Sequence, residues 1–105
     1  MATNDPLKKL PAAFYATVGG NEPVKDWLRA LTLADRKIVS QDIAKVEYGW
    51  PVGMPVCRSL GNGLWEVRST FEDGRIARVL WIAVCGRLVL LLGFHYSTQR
   101  LPQSE

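Results

Sequence analysis

The run from Leu88 to His95 constrains this chain most, because it is apolar at consecutive positions rather than at alternate ones. In an extended strand Leu88, Leu90, Leu92 and Phe94 fall on one face and Val89 and Leu91 on the other, so the strand needs cover on both sides and belongs inside a sheet. The residues before it supply its neighbours. Arg75 to Val84 joins it through Cys85-Gly86-Arg87, and Leu64 to Phe71 precedes that across Glu72-Asp73-Gly74, whose Asp-Gly pair readily takes the positive φ of a hairpin turn. Val56 to Leu60 forms a shorter strand ahead of Gly61-Asn62-Gly63, and the C-terminal half reads as a meander. With 105 residues, 48% of them hydrophobic and 22% charged, one domain spanning 1–105 is expected.

The N-terminal half has a different rhythm. Leu10, Ala12, Phe14 and Ala16 alternate loosely between Lys9 and Thr17, which predicts a first strand broken by Gly19-Gly20. Asn21 is the expected N-cap of a helix with Pro23 in its first turn and Val24, Trp27, Leu28 and Leu31 along one face. Thr32 with Asp35 three residues on resembles a capping box and opens a second helix, whose buried stripe is Ile38, Val39, Ile43 and Val46. Gly49-Trp50-Pro51-Val52-Gly53-Met54-Pro55 stops that helix, since two prolines and two glycines interrupt any regular ladder. Two helices cover one face of the sheet and the sequence offers nothing for the other, so a partner protein is expected to lay a helix or extended segment over it.

Charge is distributed unevenly. The net charge is only +3, but lysines 8, 9, 25, 37 and 45 all lie in the first half, whereas 58, 68, 75, 78, 87 and 100 are arginines. Gly63-Leu64-Trp65-Glu66-Val67-Arg68 and Gly74-Arg75-Ile76-Ala77-Arg78-Val79 plant guanidinium groups inside strand-like, apolar runs. Such a group is always charged and offers a rigid fork of donors, which suits an anionic ligand such as RNA. A structural ion pair of Arg68 or Arg78 with Glu66 is the alternative. Cys57 and Cys85 lack metal-knuckle or redox spacing and are expected to be reduced, packed thiols. The N-terminus has no signal-peptide architecture and the longest apolar run is too short for a bilayer, so a cytoplasmic protein is expected.

Several segments taken in order resemble a known family. They are Glu22-Pro23-Val24 with Asp26-Trp27-Leu28, Asp35-Arg36, Gly49 to Pro55, Arg58-Ser59-Leu60, Gly63 to Arg68, Arg75 to Val79, and Leu91-Leu92-Gly93-Phe94. From about Phe14 to Pro102 the chain resembles the phage-derived, HigB-type branch of the RelE/ParE toxin superfamily. The resemblance implies an α+β fold, with two N-terminal helices packed on a curved, mostly antiparallel sheet. It also implies the toxin of a type II toxin-antitoxin system, neutralised by a cognate antitoxin, often a helix-turn-helix protein, and acting on the ribosome as an mRNA endoribonuclease without metal or cofactor. The alternatives are a ParE-like inhibitor of gyrase, since fold does not fix chemistry, or a degenerate toxin that only binds its antitoxin.

The resemblance also assigns roles. Arg68 and Arg78 match the family's sheet arginines and are expected to contact phosphate and the transition state, with Arg58 guiding the RNA backbone and Arg75 a solvated surface charge. Trp65 is expected in the core, with base stacking as its alternative. His95 and Tyr96 are the acid–base candidates, histidine having the better intrinsic pKa. Adjacent strand residues point to opposite faces, so only one of the two is expected to line the site. Many relatives continue past the Gly-Phe pair as F-x-K-K-T-x-K-T-P. Here Tyr96 and Ser97 stand where the paired lysines would, while Thr98, Arg100 and Pro102 keep the pattern, Thr98 and Arg100 as RNA contacts. Losing two cations weakens binding to a polyanion.

Overall fold

The computed structural model describes residues 5–96. They form β1 (Ala12–Phe14), α1 (Pro23–Ala30), α2 (Leu33–Gly49), β2 (Cys57–Gly61), β3 (Leu64–Thr70), β4 (Ile76–Val84) and β5 (Arg87–Tyr96). The strands make one open five-stranded sheet in the order β1-β5-β4-β3-β2, antiparallel throughout except that β1 runs parallel to β5. The fold is therefore α+β as expected, and β5 lies inside the sheet between β1 and β4, although among the described residues only one of its two apolar faces is covered by helices.

Both helices lie on the face of the sheet that carries Val67, Val79, Trp81 and Leu90. Val24 and Leu28 of α1 and Val39, Ile43 and Val46 of α2 are buried against these residues. Each fully buried aliphatic side chain contributes about 1.5–3 kcal/mol. Trp65 stacks on Trp81 at 5.7 Å between ring centroids, and Trp50, just past α2, sets its edge against both. Trp65 is thus part of the core side of the sheet and not a free stacking surface.

Thr32 opens α2, its Oγ1 accepting from the Asp35 N–H at 3.2 Å. The box is half made, because the Asp35 carboxylate turns away to Arg75 Nη2 at 2.6 Å. Thr32→Ala is expected to lower stability by about 1 kcal/mol, the usual loss of an N-cap, read as a lower midpoint in urea.

Four sequence expectations are revised. The first strand spans three residues rather than Lys9 to Thr17, because the Lys9 and Leu10 N–H groups donate to the Glu47 carbonyl at the end of α2, not to the sheet. Glu22, not Asn21, caps α1, without a side-chain bond; Asn21 is engaged with Thr17, its carbonyl accepting the Thr17 N–H at 2.8 Å. Cys57 is buried, but Cys85 is exposed in the two-residue turn between β4 and β5, where Cys85 (φ 50) and Gly86 (φ 74) both take the left-handed conformation of a tight hairpin.

The fourth revision matters most for the site. Between Leu80 and Trp81 the β4–β5 register shifts, Leu80 facing Leu92 and Trp81 facing Leu90, so Leu91 has no partner across the ladder. This bulge reverses the side-chain phase along β5. Leu88 and Leu90 point to the helices, but beyond Leu91 it is Gly93 and His95 that do so, while Leu92, Phe94 and Tyr96 turn to the opposite, open face. Leu92 and Phe94 remain 48% and 37% exposed.

Candidate functional site

Strand register alone builds the site. On the open face Arg68 of β3 stands opposite Arg78 of β4, and Arg78 opposite Phe94 of β5, giving one transverse row. The next row runs Arg58, Glu66, Leu80, Leu92 from β2 to β5. Tyr96 lies two residues beyond Phe94, and their rings are nearly parallel, 16° apart with centroids 6.5 Å from each other.

Arg78 is the hub. Its Nη1 donates to Glu66 Oε1 at 2.9 Å and its Nε to the Tyr96 phenolic oxygen at 2.9 Å, so the guanidinium is held from β3 on one side and β5 on the other. Burial pulls its pKa down, but the bonds to Tyr96 and Glu66 outweigh burial and hold it above its ordinary value. The structural ion pair leaves part of Arg78 accessible: Glu66 is almost fully enclosed, with a side chain 6% exposed, while the Arg78 side chain keeps 20% exposure on the open face. Arg68 is exposed and has no ion pair among the described residues, as has Arg58. Because Tyr96 Oη accepts from Arg78, its own O–H proton points elsewhere, available to a ligand.

The other expected residues separate from this cluster. His95 lies on the helix face, across the sheet from the arginines. Its Nδ1 accepts the Trp27 Nε1–H at 3.2 Å, which puts the hydrogen of the neutral ring on Nε2. Of the two acid–base candidates, then, Tyr96 joins Arg78 and His95 does not. Arg75 is no solvated charge: it bridges Asp35 at 2.6 Å and Asp73 at 2.7 Å over the Phe71 ring, tying the β3–β4 turn to α2. Its bonds to Asp35 and Asp73 raise its pKa, so it is committed to structure. Thr98 and Arg100 lie outside the described residues. Cys57 is no nucleophile, since burial raises its pKa and keeps it a thiol. Among the described residues no group of three or more His, Cys, Asp or Glu is placed to hold a metal ion, and no helix is long and apolar enough to cross a membrane.

Phe94 is the site residue that sequence reasoning missed. Strict alternation assigns it to the same face as Leu88 and Leu90, and only the bulge carries it to the arginines. The available signal is Gly93, because glycine inside a strand marks a bulge or a close approach.

The family model described as "Phage derived protein Gp49-like (DUF891)" matches residues 26–105. The chain belongs to this family. Gp49-like proteins are associated with RelE and other toxin-like proteins. The matched span covers β2 to β5, and with them every residue of the arginine rows; in this Gp49-like chain β1 and the first residues of α1 lie ahead of it. The comparisons with curated proteins and with solved structures give no match.

Proposed function

We propose that this Gp49-like protein is the toxin of a type II toxin-antitoxin system, and that it acts as a HigB-type, ribosome-dependent mRNA endoribonuclease. The observation that carries this reading is the Arg68–Arg78 cross-strand pair on the face of the sheet opposite the helices, with the Tyr96 phenol bonded to Arg78. Cleavage through the 2′-hydroxyl forms a bond from the 2′-oxygen to phosphorus, breaks the bond to the 5′-oxygen and leaves a 2′,3′-cyclic phosphate and a 5′-hydroxyl. Two guanidinium groups oppose the extra negative charge of the phosphorane, which neither lysine nor a neutral donor matches in bidentate fit. The 2′-oxygen gives its proton to solvent water as it bonds to phosphorus, and the Tyr96 O–H supplies the proton for the departing 5′-oxygen and is reprotonated from solvent. A cognate antitoxin that covers Leu92 and Phe94 on the same face would neutralise the toxin by competition.

The test is induction without antitoxin, with transcript 5′ ends mapped by sequencing. New 5′-hydroxyl ends inside translated frames, lost when translation is blocked, are the expected result; intact transcripts during growth arrest would reject the nuclease. The Glu66 pairing, which lowers the positive field of this face, favours a second reading as a ParE-like, non-nucleolytic inhibitor of gyrase. Inhibited supercoiling by purified protein would select it.

A further inference from the structure

His95 is the only histidine of the chain, and it stands one residue before Tyr96 on the helix face of β5. It is exposed, so solvent protons reach it. We infer that His95 and Trp27 form an acid-sensitive latch: the neutral imidazole ties α1 to the end of β5 and so keeps Tyr96 on Arg78, and a second proton on the ring releases both. His95 is thus a positioning residue for the arginine face and not a catalytic one. The effect on activity rests on the reading of that face as a reaction site, whereas the latch itself is a property of the fold.

Three contacts meet at this point. The Trp27 Nε1–H donates to His95 Nδ1 at 3.2 Å, with the ring centroids 5.9 Å apart. The indole lies over Gly93, where an added Cβ would collide with its ring. Phe71, itself buried, packs against the same imidazole at 61°, centroids 5.8 Å apart. α1 depends on such fastening, because it has only eight residues and its N-cap makes no side-chain bond, and a helix that short does not hold by itself. Val24 and Leu28 fix it to the core, and Trp27 fixes it to the end of β5.

An imidazole titrates within about pH 5–8, and only its neutral form has a ring nitrogen free to accept. Once protonated, Nδ1 carries a hydrogen aimed at that of Trp27 Nε1, and a bond becomes an opposition of two donors. The surroundings do not compensate. Trp27 meets the ring with its N–H edge and not its π-face, so it offers no cation–π attraction. Ala77 stands across the ladder, and over Phe71 lies the like charge of Arg75, already paired with Asp35 of α2 and with Asp73. On α1, Lys25 pairs with Glu22, and Asp26 and Arg29 make no bond to the imidazole. His95 has no ion pair among the described residues. The Trp27 bond therefore stabilises the protein above this window and is lost as pH falls through it. Tyr96 comes next on the strand, its phenol 2.9 Å from Arg78 Nε, so freeing the end of β5 loosens the site on the other face.

The experiment compares the parent with His95→Asn, whose amide oxygen takes the place of Nδ1 as acceptor but gains no proton, at about pH 8 and about pH 5, the two ends of the imidazole range. Every carboxylate is common to both proteins, so the difference between them isolates His95. The expected result is a parental melting temperature that falls with acid by about 5 °C more than that of His95→Asn, the loss of one hydrogen bond in a domain of this size. The Trp27 indole N–H resonance, assigned by its absence from Trp27→Phe, should move in the parent along a one-proton titration curve. This second measurement is made on the parent protein, so it decides even where a variant fails to fold. An equal acid loss in parent and His95→Asn, or a Trp27 resonance that does not move, would overturn the latch. Cleavage that falls with acid in the parent but not in His95→Asn is expected, and equal acid sensitivity of both would overturn the hold of His95 on Tyr96. A moving Trp27 resonance with no cleavage at any pH would leave the latch standing and remove the nuclease.

Discussion

Gly93→Ala is expected to destabilise the protein by about 3 kcal/mol, at the upper end of what a forced methyl group costs in a packed interior. In an ordinary strand the same change would help slightly, because glycine is the more costly residue to order. Here an added Cβ would lie 2.8 Å from Cδ2 and 2.9 Å from Cζ3 of Trp27, and closer still to Cε3. The indole cannot retreat freely, since its Nε1–H is held by His95 and its ring packs on the core. Either α1 lifts from β5 or the end of β5 shifts, and a shift there drags Phe94 and Tyr96 off Arg78. A melting temperature lower by about 15 °C is the expected readout for a domain of this size. Trp27→Val on its own should also destabilise, but Gly93→Ala added to it should cost far less than in the parent, a coupling that a double-mutant cycle measures. Parental stability of Gly93→Ala would mean that Trp27 does not occupy this position.

The same glycine marks the boundary of what the sequence disclosed. Element order, both helices, the hairpin turns and the burial of Val24, Leu28, Val39, Ile43 and Val46 follow from periodicity and turn chemistry, because these are local properties. The opposite facing of His95 and Tyr96 was equally legible, as strand side chains must alternate. Which of them joins the arginines was not. That depends on a one-residue bulge at Leu91, and leucine is as acceptable at a bulge as in a regular strand. Two residues beyond it Gly93 lies under Trp27, a contact between residues 66 positions apart in the chain that local pattern does not reveal. Arg75 was misread for a related reason. Its place beside a turn suggests solvent, but α2 brings Asp35 within 2.6 Å, forty residues away in sequence. The half-made capping box at Thr32 is the other side of that contact, since one carboxylate cannot serve both partners fully.

Arg78→Ala is expected to abolish toxicity, with any residual cleavage down by a factor of about 10²–10³, the usual loss of a transition-state donor. Loss of activity alone would not separate catalysis from folding, because Arg78 also neutralises Glu66. Truncating it leaves an enclosed carboxylate without its cation, which costs 3–5 kcal/mol in a deeply buried pair; with Arg78 a fifth exposed, about 2 kcal/mol is expected here. The second substitution that separates the two roles is Glu66→Gln. In the parent background the amide oxygen still accepts from Arg78 Nη1, so Glu66→Gln should stay folded and largely toxic. In the Arg78→Ala background it removes the stranded charge, and the double variant should unfold in urea within about 1 kcal/mol of Glu66→Gln itself. If the guanidinium acts on phosphate, that restored protein remains harmless to cells. Return of toxicity together with stability would assign Arg78 to the ion pair alone and leave Arg68 without its partner in the reaction.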